Sequence, residues 1–342
     1  ELGQMLVAHG MVAQGRERLV SVVDRFPGTD NACYSATLDA ETYLDEDDLN
    51  GYRRKMAHYL GVGACSDETA IADMEDGVEK AELMIADKLK GQGKFLEAAA
   101  AYVAFERSYP DSKHLALAMQ NAANNFERGG KLDDSIRVLE RFVARFPDHE
   151  KTSSFLFRLA GVYAQALDLD RAINAYERIY QQLRGTGHPN APIALTNAAY
   201  LRVGVGDFEG AAKNYEEFGR AFPDQPDTEK LVFKAGEQWE RVSPAKGVDF
   251  YKRYLQDWRG RNADHEMEAV YKLATLSEEM GGRGREVEAA WDDVLATYQR
   301  LQPTGQIGVL GRHYAAHAEF RRLEAELEER KAAGWDPTRE GA

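Results

Sequence analysis

The sequence predicts an all-α chain built from repeated antiparallel helix pairs, and three observations carry that expectation. An aromatic–proline pair followed by a small or acidic residue recurs at Phe26-Pro27-Gly28, Tyr109-Pro110-Asp111, Phe146-Pro147-Asp148 and Phe222-Pro223-Asp224. Aligned on this position, Tyr109, Phe146, Leu183, Phe222, Trp258 and Tyr298 follow one another at intervals of 37, 37, 39, 36 and 40 residues. Upstream of each, large side chains stand seven residues back (Tyr102, Leu139, Tyr176, Tyr215, Tyr251, Trp291) and four back (Phe105, Phe142, Ile179, Phe218, Tyr254, Val294). Offsets of three, four and seven lie on one stripe of a helix, so each repeat ends in an amphipathic second helix. About seventeen helices and no strand are expected over the 342 residues.

The elements follow in order. Residues 1–65 carry weaker copies of the pattern, with Leu19, Val22 and Phe26 on one second-helix stripe and Tyr52, Lys55 and Tyr59 on another. A long helix is expected over 66–91, capped by Ser66, with Ile71, Met74, Val78, Ala81, Ile85 and Leu89 as its buried stripe. In the regular repeats of 66–302, first helices end at Gly93-Lys94-Phe95, Gly130-Lys131-Leu132, Asp168-Leu169-Asp170 and Gly206-Asp207-Phe208. Glycine past a helix end supplies the left-handed residue that stops it. Ala98, Ser135, Ala172 and Ala211 follow three positions after the hydrophobe of each turn and let the antiparallel helices approach closely. Proline ends each second helix because it has no amide hydrogen. The residues behind it, as in Pro110-Asp111-Ser112, are expected to cap the next helix. Arg184 replaces one proline, and residues 185–192 form a longer connector. A polar helix over 303–330 closes the array as a cap, and 331–342 are a tail.

Residue by residue these units resemble the tetratricopeptide repeat, a helix–turn–helix of about 34 residues. The resemblance covers most of 79–300 and implies a single right-handed α-α superhelix over 1–330, with first helices lining a concave face. The aromatic–proline–acidic ending is similar to bacterial envelope repeat proteins: outer-membrane assembly lipoproteins, the cell-division coordinator that partners Tol and Pal, and periplasmic proteins of gliding machinery. It implies a scaffold or adaptor that holds protein or peptide partners. The chaperone-tail clamp of some members needs converging lysine, arginine and asparagine; Leu83, Asp87, Gln120 and Asn124 at those positions do not supply the set.

Along the first helices, the side expected to face the groove runs from polar (Leu117, Gln120, Asn124) to apolar. Phe157, Tyr200, Val203, Trp239 and Leu276 are the candidate partner-binding residues, because aromatic side chains dominate interface energetics. Helix twist burying several of them against a neighbour is the competing reading.

Cys33 falls in the first turn of a helix expected over 30–44, and Cys65 just past its return helix over 47–61. Antiparallel pairing puts these two points side by side, so a disulfide is geometrically allowed; two unpaired buried thiols are the alternative. A bridge would mean an oxidising compartment, hence the periplasm or secretion, and reduced thiols a cytoplasmic adaptor. A regulatory segment of a larger multidomain protein is a further alternative. The chain opens on Glu1 inside a helical pattern and closes on Gly334-Trp335-Asp336-Pro337, which reads as a mature or partial chain. A missing leader then says nothing about destination.

Composition bounds the rest. Forty-three basic against 57 acidic residues give a net charge of −14, which argues against nucleic acid as partner. No apolar run is long enough for a membrane-spanning helix. His313 and His317 have a zinc-compatible spacing without a third ligand. Gly281-Gly282-Arg283-Gly284 follows a helix and lacks the lysine of a nucleotide loop, and Asp45 to Asp48 read as a helix start. No metal, cofactor or catalytic residue is expected, and the chain is read as not an enzyme.

Overall fold

The computed structural model describes residues 1–282 and 284–335, and these contain seventeen α-helices and no strand. They form two compact units that divide after Leu167. The first holds α1 (Leu2–Ala8), α2 (Val12–Arg25), α3 (Asp30–Asp45), α4 (Leu49–Gly61), α5 (Glu68–Gly91), α6 (Phe95–Ser108), α7 (Leu115–Arg128), α8 (Leu132–Arg145) and α9 (Thr152–Gln165). The second holds α10 (Leu169–Leu183), α11 (Asn190–Gly204), α12 (Phe208–Ala221), α13 (Thr228–Val242), α14 (Pro244–Asp257), α15 (Ala263–Glu279), α16 (Arg285–Leu301) and α17 (Val309–Ala332). Within each unit every helix packs on the next in sequence, and α17 also returns onto α15.

The second-helix stripe is the core. In the first unit Tyr102, Phe105, Leu139 and Phe142 are at most 1% exposed. In the second, Tyr176, Ile179, Tyr215, Phe218, Tyr251, Tyr254, Trp291 and Val294 are buried in the same way. Ala98, Ser135, Ala172 and Ala211 are fully buried, as close helix crossings require. Polar links join successive second helices at the repeat distance: Arg141 to Glu106 across 35 residues, Arg253 to Glu216 and Lys246 to Glu209 across 37.

Several local expectations are corrected. Asp67, not Ser66, caps α5, its carboxylate accepting from the Ala70 amide at 2.8 Å, while the Ser66 hydroxyl donates to the Gly28 carbonyl. Of the residues behind the prolines, Thr29 caps α3 by accepting from the Ala32 amide at 3.2 Å, but the acidic residues do not cap the helices that follow them; α7, α9 and α13 have no side-chain cap bond. Instead Thr152 and Thr228, first residues of α9 and α13, donate back to the carbonyls of Phe146 and Phe222. The connector after Leu183 is shorter than predicted, because α11 begins at Asn190 and takes Pro192 into its first turn, where a missing amide costs nothing. Phe26 is 53% exposed, and the buried stripe of α2 is Leu19 and Val23. The closing helix begins only at Val309 and is not uniformly polar, since Val309, Leu310, Phe320 and Leu323 are more than half exposed.

Lys55 interrupts an apolar stripe for an electrostatic reason. Asp39 is fully buried in α3, and the Lys55 ammonium lies 3.0 Å from its Oδ2, which also accepts from the Tyr59 hydroxyl. Burial, and after it that bond, push the Tyr59 phenol far above its ordinary range.

The turns after α5, α7 and α11 use a left-handed residue, and Gly93, Gly130 and Gly206 supply it with φ of 75°, 72° and 81°. After α9 the same role falls to Leu167, at φ 61° and 80% exposed, where a Cβ and an unpacked side chain are both unfavourable. Leu167→Gly is therefore expected to raise stability by about 0.5–1 kcal/mol, the relieved strain exceeding glycine's entropy cost. A urea midpoint that stays level or falls would refute this.

Candidate functional site

The open side of α11 and α13 exposes an aromatic and a cationic side chain in direct contact. α11 buries Ala191, Ala194, Leu195, Ala198 and Ala199, so the side between them is turned outward. It carries Ile193, 47% exposed, Tyr200, 48% exposed, and the half-buried Val203. From α13, Lys234 reaches across: its ammonium donates to the Tyr200 hydroxyl at 3.3 Å and lies 4.8 Å from the ring centroid. Tyr215 supports the ring edge-on at 6.1 Å. A half-exposed phenol with a cation over its face presents apolar area, a hydroxyl and a positive charge within one side-chain reach.

The other candidate residues do not join it. Phe157 is half-buried in the first unit. Trp239 is 9% exposed and Leu276 5%, which corrects the expectation that they line an open face. Trp239 packs inward, its indole N–H donating to Glu216 Oε1 at 2.8 Å. Leu276 packs so closely on α14 that a Cβ added at Gly247 would lie 3.1 Å from it. Val232 is buried against Gly219 of α12, and a Cβ at Gly236 would stand 2.7–2.8 Å from the Tyr251 and Phe250 rings. The outward side of α13 is Lys230, Lys234, Glu237 and Arg241. Their spacing of four, three and four was the available signal.

Charged clusters elsewhere are closed by their own partners. Asp76, Glu79 and His114 bring three ligand-type atoms within 4.8 Å of one another in the first unit. Lys80 and Lys113 lie 2.6 and 2.9 Å from the Asp76 oxygens, His114 Nε2 lies at 2.8 Å, and Ser112 donates to Glu79 at 2.5 Å. The hydrogen bonds from Lys80 and Lys113 hold Asp76 well below the carboxylate range. This is an ion-pair clasp between α5 and the residues before α7. In the second unit Glu229 meets His265 at 2.7 Å and also accepts from Tyr254. Burial alone would raise its carboxyl, but the bonds from His265 and Tyr254 hold it below its ordinary value. Glu209 is held at about 2 by Lys213 and Lys246.

His313 is exposed, whereas His317 turns toward α15, its Nδ1 2.7 Å from the Tyr271 hydroxyl. Asp48 caps α4 through the Gly51 amide at 2.8 Å, so the acidic turn is a helix start. Gly281 and Gly284 have φ of 83° and 69° in the turn between α15 and α16; Arg283 lies outside the described residues. Leu83 is buried, and Asp87 accepts from Tyr102 at 2.7 Å, so neither position offers a free clamp group.

Cys33, in the first turn of α3, and Cys65, just before α5, are joined as a disulfide with their Cα atoms 4.5 Å apart. Their neighbours include Val23, Ala36, Met56, Tyr59 and Met74, so the bridge sits against the core of the N-terminal helices. Among the described residues no helix is long and apolar enough to cross a membrane.

Residues 121–191 match the tetratricopeptide-repeat family model. No curated protein sequence matches the chain. Among solved structures, a tetratricopeptide repeat protein from Parabacteroides merdae is 9% identical, with 84% of this chain and 99% of that one aligned at a TM-score of 0.35. The MamA protein is 18% identical over 52% of this chain and 90% of its own, at 0.37. PilF of Pseudomonas aeruginosa is 15% identical over 71% and 98%, at 0.33. All three scores are low, and the assignment rests on the helix pairs and the matched segment. The tetratricopeptide-repeat match covers residues 121–191, and helix pairs that close on buried Ala98, Ser135, Ala172 and Ala211 repeat the same design within that segment and on either side of it.

Proposed function

We propose that the protein is a non-enzymatic scaffold that holds a partner protein on the open side of α11 and α13, and that it works in an oxidising compartment such as the bacterial periplasm. Tetratricopeptide repeats serve as surfaces for partner proteins, and the observation that favours this particular face is the half-exposed Tyr200 with Lys234 over its ring. A rigid aromatic side chain gives contact area at low entropic cost, and Lys234 adds selectivity for a carboxylate or carbonyl on the partner. The disulfide supports the compartment, because such bonds persist where glutathione and thioredoxin do not reduce them.

The test is a crosslinking amino acid at Ile193 or Tyr200, incorporated in the native cell, with the captured protein identified and then purified. Tyr200→Ala with Lys234→Ala is expected to weaken binding of that protein by at least about tenfold, with the unfolding midpoint changed little. Capture that is insensitive to the double variant would remove this face from the proposal. Thiol labelling of protein from its native compartment checks the second part: no label before reduction and two after is expected, and two free thiols would move the protein to the cytoplasm.

A further inference from the structure

The first unit carries a second surface of different chemistry, on the second helices α6 and α8. Between them lies a groove of about 800 Å³ whose floor includes Val103, Val138 and Phe126. Arg107 lines it from α6, and Arg137, Arg141 and Arg145 line it from α8. Four-residue spacing puts the last three on one face of α8, with about 6 Å of axial rise between neighbours.

These guanidinium groups are not equally engaged. Arg141 is held by two bonds to Glu106, at 3.0 and 2.8 Å, and is fixed in place. Among the described residues Arg137 pairs only with Asp134, three residues back on the same helix, and its side chain stays 62% exposed. Arg145 donates to the Pro110 carbonyl at 3.1 Å and faces Asp111 at 3.8 Å, whose side chain is 98% exposed. Arg107 is exposed and makes no hydrogen bond or ion pair among the described residues. Surface pairs of this kind contribute about 0.2–1 kcal/mol, so an incoming carboxylate replaces them at little cost. Glu106 and Asp134 are the acidic groups of the lining, leaving a local excess of positive charge in a chain of net charge −14.

We propose that this groove binds an acidic peptide segment of a partner protein, with Arg107, Arg137 and Arg145 pairing its carboxylates and an apolar side chain seated on Val103 and Val138. Guanidinium matches carboxylate in two-point geometry, and carboxylates eight apart on a helix lie about 12 Å from one another, the same axial separation as Arg137 and Arg145 on α8. Charge complementarity selects the occupant: a basic or neutral segment would leave the arginines where they are and gain only the small apolar floor. The surface is built from other helices than the α11 and α13 face, so either assignment stands or falls without the other.

The test uses the full chain and a fluorescein-labelled, alanine-based helical peptide with glutamate at every fourth position and leucine between, followed by anisotropy. Saturable binding that weakens with added salt is expected. In Arg107→Glu/Arg137→Glu/Arg145→Glu it should weaken at least about tenfold, while Tyr200→Ala/Lys234→Ala leaves it unchanged. Circular dichroism with an unchanged melting profile establishes that the triple variant is folded; if it is not, the three arginines are changed to glutamine and the comparison repeated. The same peptide with lysine for glutamate should not bind. No binding by the wild type, equal binding by the folded variant, or binding of phosphatidylglycerol vesicles in place of the peptide would each overturn the proposal.

Discussion

Reducing the Cys33–Cys65 bridge is expected to lower stability by about 3–4 kcal/mol, the loop-closure entropy of a span of 32 residues in the unfolded chain. The loss should be confined to the N-terminal helices. The bridge fastens the start of α3 to the chain entering α5, and thereby encloses α4 and the buried Asp39–Lys55–Tyr59 network. Repeat arrays are stabilised by neighbour contacts, so hydrogen exchange should accelerate in α2 to α5 and hardly at all in α12 to α14. Urea unfolding with and without a phosphine reductant, and on Cys33→Ser/Cys65→Ser, checks the magnitude. Identical midpoints would mean that the bridge restrains nothing the packing has not already fixed.

What was legible in the sequence divides along a physical line. Second helices have one packed side, so apolar residues fall on a single stripe and the positions of Tyr102, Leu139, Tyr215 and Tyr251 could be read directly. First helices are packed on more than one side. In α13 eight of the fifteen residues are buried, Thr228 and Gln238 among them, and periodicity then leaves the helix phase undetermined. That is why the sequence alone puts Trp239 and Leu276 on an open face and does not single out Lys234. Tyr200 was legible because α11 buries mostly alanines, which mark the packed side without competing for the exposed one.

The caps were misread for another reason. Asp111, Asp148 and Asp224 follow the prolines, but the chain leaves the turn through a bend that puts the helix start several residues later. The threonine at that later start is the residue that closes the turn in α9 and α13. The arginines of α8 look in sequence like an ordinary solvated face, and only the groove beside Val103 and Val138 distinguishes them.

Trp239→Ala and Tyr200→Ala separate packing from recognition within a single pair of helices. Trp239 is 9% exposed and fills the space beneath Lys246, whose ammonium lies 4.9 Å from the ring centroid. Truncation is expected to cost about 3–5 kcal/mol, the range for large aromatic-to-alanine changes in a core. Glu216 loses the indole donor at 2.8 Å but keeps Arg253 at 3.1 Å, so the penalty is mainly a cavity and not an orphaned carboxylate. Tyr200, 48% exposed, gives up one long hydrogen bond and a cation–π contact, and its truncation should cost about 1 kcal/mol or less. Partner binding should follow the opposite order: lost in Tyr200→Ala, and retained in Trp239→Ala at temperatures where that variant is still folded. Urea unfolding alongside binding to the crosslink-identified partner measures both. A small stability loss in Trp239→Ala with a large one in Tyr200→Ala would mean that α11 and α13 present the opposite sides, and the Tyr200–Lys234 surface would no longer be the place to look for the partner.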